Sequence, residues 1–358
     1  MNIALVVDDF HGGAGNIAQM LALEFSKEHN VSLIMTNLHS ERRYELDNIN
    51  VIDANISIDG KNKIFGLIAA TRRLKKAISK TAKADVIISL IYNNNSLACL
   101  SQYFNKKPII VSERSNPIAI LPTSPWDKIR RIAYRRANVV TVQFDAFKTF
   151  DEERYVDKCR VTHNIVALPS LRKENWETEK VRFVTFGRFA SVKRMDLMIK
   201  LFAEAHKKNE NMELHIFGDG SNRDKLLSLI DQLGLDDSVF LRGYCNDVHK
   251  TMLEYDAYLM TSYQEGFPNS LSEAMAIGLP SVSFCCHDGI REMTENGMSG
   301  FIAEEGDEDD FVEKMVRLST DEALRSEMGQ KAKNIAVRYS KEVVMQQWQK
   351  CIEEAMAK

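Results

Sequence analysis

No stretch of this 358-residue chain approaches the roughly 18 consecutive apolar residues of a membrane-spanning helix. Positive charge is not in excess either: the formal net charge is −3, so no global basicity argues for nucleic acid as a partner. The six cysteines, Cys99, Cys159, Cys245, Cys285, Cys286 and Cys351, form no CxxC pair and no framework spacing. They read as reduced thiols in a cytosolic protein. The opening MNIALVVDDF lacks a basic leader region and runs straight into a strand pattern, so it does not read as a signal peptide. No short-period repeat is visible. What is present is a composition of 44% hydrophobic and 27% charged residues, ordinary for a globular chain, at a length that suits two domains.

Short apolar runs alternate with helical patterns throughout. NIALVV, VSLIMT, DVIISLI, PIIVSE and NVVTVQ fill the first part, with one helix around Ile17 to Glu28. After Asn164 comes the polar stretch ALPSLRKENWETEK, and the pattern restarts with RFVTFGR, ELHIFGDG, SVFLRGY, AYLMTS and PSVSF. Continuous apolar strands of this kind suit parallel sheets covered on both faces. The expectation is an α/β protein of two Rossmann-like doubly wound domains, residues 1–165 and 166–340, facing across a cleft, with a final segment 341–358. Ligands in such sheets sit beyond the carboxyl ends of the strands, where Gly12–Gly15, Glu113–Asn116, Gly187–Lys193, Gly218–Gly220 and Glu265 fall.

The first glycine turn offers a tempting assignment. Gly13-Ala-Gly15-Asn-Ile-Ala18 fits the dinucleotide fingerprint, but the second strand ends Thr36-Asn37-Leu38-His39, with no carboxylate to hold a ribose. A nicotinamide dehydrogenase is therefore disfavoured. A tight strand-to-helix turn and a loop approaching phosphate or sugar both remain open. Asp8 and Asp9, adjacent on an extended strand end, point opposite ways and suit structural or capping roles rather than a metal.

Three features of the second half converge. In FGRFASVKR, Arg188 and Lys193 follow a strand and a glycine, and could grip a diphosphate or simply be solvated. Gly218-Asp219-Gly220 is either a plain turn with Ser221 capping the next helix or part of a ligand loop. In QEGFPNSLSEAM, Ser270-Leu-Ser-Glu273 has capping-box spacing, and the helix it opens presents free N–H groups to a phosphate. Capping does not explain Glu265. A carboxylate beside a phosphate site suits hydroxyl groups, so Glu265 on a sugar and Glu273 on a ribose together fit a nucleotide sugar.

The stretch from Glu265 to Pro280 resembles the E-x7-E segment of retaining glycosyltransferase family 4, with the GT-B fold. Gly187-Arg188, Lys193, Phe217-Gly-Asp-Gly220 and Leu241-Arg-Gly-Tyr244 fall in the order that family uses, and the likeness runs essentially end to end. The resemblance implies a catalytic set of Arg188, Lys193 and Glu265, the two cations neutralising the leaving diphosphate. It implies that Asn269, Ser270 and Leu271 bind phosphates through backbone amides and that Glu273 holds the ribose. Gly218, Asp219, Arg242 and Tyr244 would lie near the base, with Gly13 as a further donor contact. The last helix, with Val344, Trp348 and Ile352 at helical spacing, would cross back onto the first domain. The donor is expected to be UDP-linked, with no metal or other cofactor.

On the acceptor side, Glu113, Arg114 and Asn116 stand where many relatives carry a histidine contacting the transferred sugar. Lys61 to Lys83 forms an amphipathic helix whose Ile64, Leu67, Ile68, Leu74 and Ile78 make an apolar stripe and whose Arg72, Arg73, Lys75 and Lys76 make a basic face. Lys128, Arg130, Arg131, Arg135 and Arg136 add a second basic segment. The stretch IIVSERSNPIA resembles one in members that build bacterial surface polysaccharides and lipid-linked oligosaccharides, which implies a glycan or polyprenyl-pyrophosphate-linked acceptor, and the two basic segments predict peripheral contact with the anionic inner face of a cytoplasmic membrane. The expected state is a monomer or weak dimer. A nucleotide-sugar epimerase of the same architecture and a non-catalytic membrane-surface assembly partner are the alternatives.

Overall fold

The computed structural model describes residues 1–10, 12–37, 45–46, 48–56, 63–81, 83–105, 107–120, 126–150 and 154–357. Leu38, His39, Lys61, Asn62 and Ala82, and the side chain of Ile64, lie outside the described residues. Two compact units form: Met1–Ile165 with Glu342–Lys358, and Val166–Lys341.

The first unit is built on strands β1 (Asn2–Val7), β2 (Asn30–Met35), β3 (Asn50–Asp53), β4 (Val86–Leu90), β5 (Ile109–Ser112), β6 (Val139–Val142) and β7 (Cys159–Val161). They lie in the order β3-β2-β1-β4-β5-β6-β7, every described pair parallel. Leu5 is registered between Leu33 and Ile88, and all three are fully buried. The second unit repeats the plan with β8 (Val181–Phe186), β9 (Met212–Phe217), β10 (Val239–Gly243), β11 (Ala257–Met260), β12 (Ser281–Phe284) and β13 (Phe301–Ala303), ordered β10-β9-β8-β11-β12-β13. Both are Rossmann-like sheets whose order reverses beside the first strand, and the loops leaving the carboxyl ends at that reversal are the ligand-bearing ones.

The helix Lys341–Ala357 belongs to the first unit's core. Val344, Trp348, Cys351, Ile352 and Ala355 form its inward stripe, spaced at three and four residues. Trp348 is fully buried, edge-on to Phe25 at 6.4 Å. Arg160 clamps the helix's end through two 2.8 Å hydrogen bonds to Glu354.

The basic helix runs Lys63–Ser79, and its packed stripe differs from expectation. Leu74 and Ile78 are buried together with Ala70 and Ala77, but Ile68 is 42% exposed and Phe65 70%. At 100° per residue, positions 65, 68, 72 and 75 share the outward face, so Ile68 stands with the cations rather than the core. All six cysteines are unpaired, with Cys99, Cys159 and Cys351 buried.

Candidate active site

In the second unit, the loops that leave β8 and β9 are stacked backbone on backbone. Gly187 N–H donates to Phe217 O at 3.0 Å, Phe189 N–H to Asp219 O at 2.8 Å, and Gly218 N–H to Gly243 O at 2.8 Å. Gly218 has φ +136°, and a Cβ there would lie 1.9 Å from the Gly187 carbonyl oxygen, so only glycine fits. Asp219 turns its carboxylate onto Gly220 N–H at 2.8 Å. Of the two readings of this loop, the one with Ser221 as helix cap does not hold. The helix Arg223–Gln232 has Asn222 at its N-cap with no side-chain bond, because the turn runs one residue further than the spacing suggests.

This stacking leaves the Arg188 side chain exposed and, among the described residues, without a hydrogen bond or ion pair. The chain then makes a 3₁₀ turn, Ser191–Lys193, and Arg194 adopts a left-handed φ of 47°. Thr261 fixes that turn by donating its hydroxyl to the carbonyls of Lys193 and Arg194, both at 3.0 Å. Arg194 returns the contact to Thr261 O at 2.7 Å and grips Glu305 at 2.6 and 2.9 Å. Lys193 is thereby fastened to the loop after β11, which also carries Glu265.

The consequence is a close ion pair, Lys193 Nζ to Glu265 Oε1 at 2.6 Å, with side-chain exposures of 26% and 12%. Burial works to lower the Lys193 pKa, but the Glu265 carboxylate prevails and holds it above the ordinary lysine value. Lys193 is a fixed cation.

The helix Asn269–Ile277 starts after Pro268, with Ser272 N–H bonded to Pro268 O at 3.0 Å. The N–H groups of a helix's first turn have no acceptor within the helix, and the dipole adds positive potential there. Pro268, not Ser270, is the N-cap. Ser270 already lies inside the first turn, and its Oγ accepts a 2.7 Å hydrogen bond from the buried Tyr258 hydroxyl. Glu273 is half-buried in the same helix.

Two neighbours of Glu265 were not foreseen. Burial, reinforced by the Glu265 carboxylate, pushes the Cys286 thiol up to about 12. Burial also pulls His287 down to about 4 against the opposing pull of Glu265, and its Nδ1 accepts Gly289 N–H at 3.1 Å to cap the helix Asp288–Thr294. The available signal was their position: both follow β12 directly, at a carboxyl strand end.

Arg242 and Tyr244 lie at the edge strand. Arg242 stacks over Phe240 at 4.6 Å and donates Nε–H to His215 Nδ1 at 3.0 Å, while Tyr244 is 83% exposed. His215 Nε2 faces Glu213 at 3.1 Å and Tyr255 Oη lies 3.1 Å from its Nδ1, a polar cluster the sequence did not announce.

In the first unit, Glu113 is buried, accepting a short hydrogen bond from Tyr134, and burial raises its pKa. Arg114 is buried as well and is not bonded to Glu113. Its guanidinium donates to Ser112 Oγ, Thr162 O, Thr162 Oγ1 and Asn164 Oδ1 at 2.6–3.1 Å and lies 5.1 Å over Trp348. Burial lowers its pKa to about 9, which leaves it charged at neutral pH. Asn116 caps the turn Pro117–Ile120 through Ile118 N–H at 3.0 Å and Ala119 N–H at 3.2 Å. These three side chains thus serve the unit's own structure. Gly13 is exposed in the first turn of the helix Gly12–Phe25. Arg72, Arg73, Lys75 and Lys76 are exposed, with Arg73 also donating to Asn55 O at 2.7 Å.

Comparison with known proteins places this geometry. Residues 169–335 match the family model described as glycosyl transferases group 1. Over 99% of both chains, this protein is 26% identical to the GalNAc-alpha-(1->4)-GalNAc-alpha-(1->3)-diNAcBac-PP-undecaprenol alpha-1,4-N-acetyl-D-galactosaminyltransferase of Campylobacter jejuni. Over 207 residues it is 30% identical to the poly(ribitol-phosphate) alpha-N-acetylglucosaminyltransferase of Staphylococcus aureus, covering 58% of this chain and 41% of that relative. The crystal structure of Anabaena Alr3699/HepE in complex with UDP-glucose superposes with a TM-score of 0.78 at 17% identity, over the whole of both chains. The fold is therefore GT-B. The second unit carries a glycosyl transferases group 1 domain, and the protein is an enzyme of the glycosyltransferase class.

Proposed function

We propose that this enzyme moves a sugar, with retention, from a UDP-sugar to a hydroxyl of a glycan or polyprenyl-pyrophosphate-linked oligosaccharide in surface-polysaccharide synthesis. The observation that carries the reading is the Lys193–Glu265 pair, fixed by Thr261 and set in the loop that leads into the helix Asn269–Ile277. In the donor complex the sugar diphosphate takes the place of that pair's mutual contact. Lys193 and Arg188 hold the phosphates, with the amides of Ser270 and Leu271 as further donors. Glu265, released from Lys193, accepts hydrogen bonds from donor-sugar hydroxyls, and Glu273 those of the ribose. The C1–O bond to the β-phosphate breaks as the acceptor oxygen bonds C1, and the acceptor's proton passes to the departing phosphate. Negative charge grows on that phosphate in the transition state, so cations fixed in advance lower the barrier. The relatives named above, one acting on an undecaprenol-linked glycan and one crystallised with UDP-glucose, support the donor and acceptor classes. The exposed cations of the helix Lys63–Ser79 support peripheral contact with an anionic membrane.

The test is transfer from radiolabelled UDP-sugars to undecaprenyl-pyrophosphate-linked glycans, with stereochemistry read by NMR. Lys193→Ala should lower kcat by about 10²–10³-fold, the loss typical for one preorganised charge-stabilising donor, with the folded state intact by circular dichroism. Full activity in Lys193→Ala, or an inverted anomeric product, overturns the reading.

A further inference from the structure

The first unit carries an aromatic pair that its core does not use. Phe104 is 93% exposed and Tyr103 53%, in a turn after the helix Tyr92–Ser101, with their rings edge-on at 5.4 Å. Large aromatics are ordinarily among the best-buried residues, and single exposed apolar residues carry little meaning. Here the exposure is built in. Arg136 ties the turn down from behind, its guanidinium donating to the carbonyls of Gln102 at 3.1 Å, Lys107 at 2.6 Å and Asn105 at 3.1 Å. Asn105 donates its side-chain amide to Gln102 Oε1 at 2.9 Å and its backbone N–H to Gln102 O at 2.9 Å. Lys107 Nζ anchors the far side on Ala84 O at 2.5 Å. A turn held by so many charge-assisted bonds does not fold inward to bury its rings.

The charge around it is mainly positive. Those hydrogen bonds bring together the neighbourhoods of Ala84, Gln102–Asn105 with Lys107, and Arg136, and the described residues from 80 to 85, 102 to 107 and 134 to 138 hold five cations and one carboxylate, Asp85. Asp85 is occupied by Asn2 N–H at 2.7 Å. Lys80, Lys83 and Arg135 are exposed.

From this we infer that Tyr103 and Phe104 form a wedge that enters the interfacial layer of an anionic bilayer, with Lys80, Lys83 and Arg135 on the headgroups. An amphipathic aromatic at headgroup level, an apolar ring beneath it and cations around them match the layered chemistry of a membrane surface. The inference deepens the membrane part of the proposed function and rests on it. It moves the insertion point from the helix Lys63–Ser79 to the turn at 102–105.

Vesicle flotation of the full chain tests it. Wild type should float with phosphatidylcholine vesicles doped with phosphatidylglycerol and stay behind with phosphatidylcholine alone. Phe104→Ser should weaken that partition about tenfold, the scale of losing much of one phenylalanine's burial. A substitution at so exposed a site should leave the melting temperature unchanged. In Phe104→Trp, the emission difference from wild type should shift blue on adding doped vesicles and be quenched by brominated lipid. Wild-type partition in Phe104→Ser, or an unshifted Trp signal, overturns the wedge. So does a concentration-dependent dimer in sedimentation velocity that Phe104→Ser abolishes, since the patch then belongs to a second copy. UDP binding by calorimetry separates the two ideas. Vesicle binding lost with UDP binding intact concerns the wedge, whereas a wild type that ignores UDP counts against the transferase reading alone.

Discussion

Lys193 shows how one side chain gains a use from its surroundings. Its ammonium is a compact charge on a flexible stem, and in isolation it would be solvated. Thr261 fixes its backbone and Glu265 fixes its head, so the charge is in place before a substrate arrives. Gly218 is as constrained in the opposite sense. Gly218→Ala forces a Cβ into the Gly187 carbonyl at a φ that L-residues avoid, and should cost about 2–4 kcal/mol in a urea titration. His287 adds a pH effect. Its imidazole is held near 4 in the folded protein against an ordinary value of 6.5, so between those limits the unfolded chain binds the extra proton. Stability is therefore complete above pH 6.5 and falls as the pH drops toward 4, by at most about 3 kcal/mol from this group. His287→Asn retains a good capping residue. Urea midpoints measured from pH 7 to 4 should flatten in that variant relative to wild type.

At the scale of elements, legibility followed the geometry that each signal reports. The strand run VIISL is buried at every position and apolar at all but Ser89, because both faces of a parallel sheet are covered, and that condition is written in the sequence itself. Glu265, Arg188 and Lys193 could be singled out because they sit just past strand ends, where the sheet topology delivers ligand groups. Ser270 misled because the spacing cannot reveal the Tyr258 hydroxyl, twelve residues earlier, that takes its oxygen. Ile68 misled because apolar residues on two faces of one helix look alike until the helix is rotated against its neighbour. The Arg242–His215–Glu213 cluster was invisible for a related reason: its members come from adjacent strands, and only the register β9–β10 joins them. Arg114 follows Glu113 directly, a neighbour that suggests an ion pair. It is buried, but its partners are neutral oxygens from Ser112, Thr162 and Asn164.

For the whole molecule, the decisive feature is that the first unit is discontinuous in sequence. Residues 1–165 lack Val344, Trp348, Cys351 and Ile352, which are all but fully buried in that unit's core. Val166–Lys341, by contrast, is continuous and has its own core, including the buried ion pair of Lys173 with Asp256 at 3.0 Å, which fastens the polar segment after Asn164 to the second unit. A chain ended after Ser340 should keep the second unit's cooperative melting and lose the first unit's. Removing a buried tryptophan alone costs about 3–5 kcal/mol, and three more buried side chains leave with it. Differential scanning calorimetry with limited proteolysis reads both outcomes at once. Two surviving transitions would mean that the closing helix is an accessory rather than a part of the core.

That same closing helix sets an order of events during synthesis. Residues 1–165 emerge from the ribosome before the second unit, yet their core must wait, with the groove for Trp348 unfilled, until residues 342–357 have been made. The later-made half can finish folding while its predecessor is still open. The first unit, begun before the second, is thus completed after it, and in that interval it depends most on chaperones.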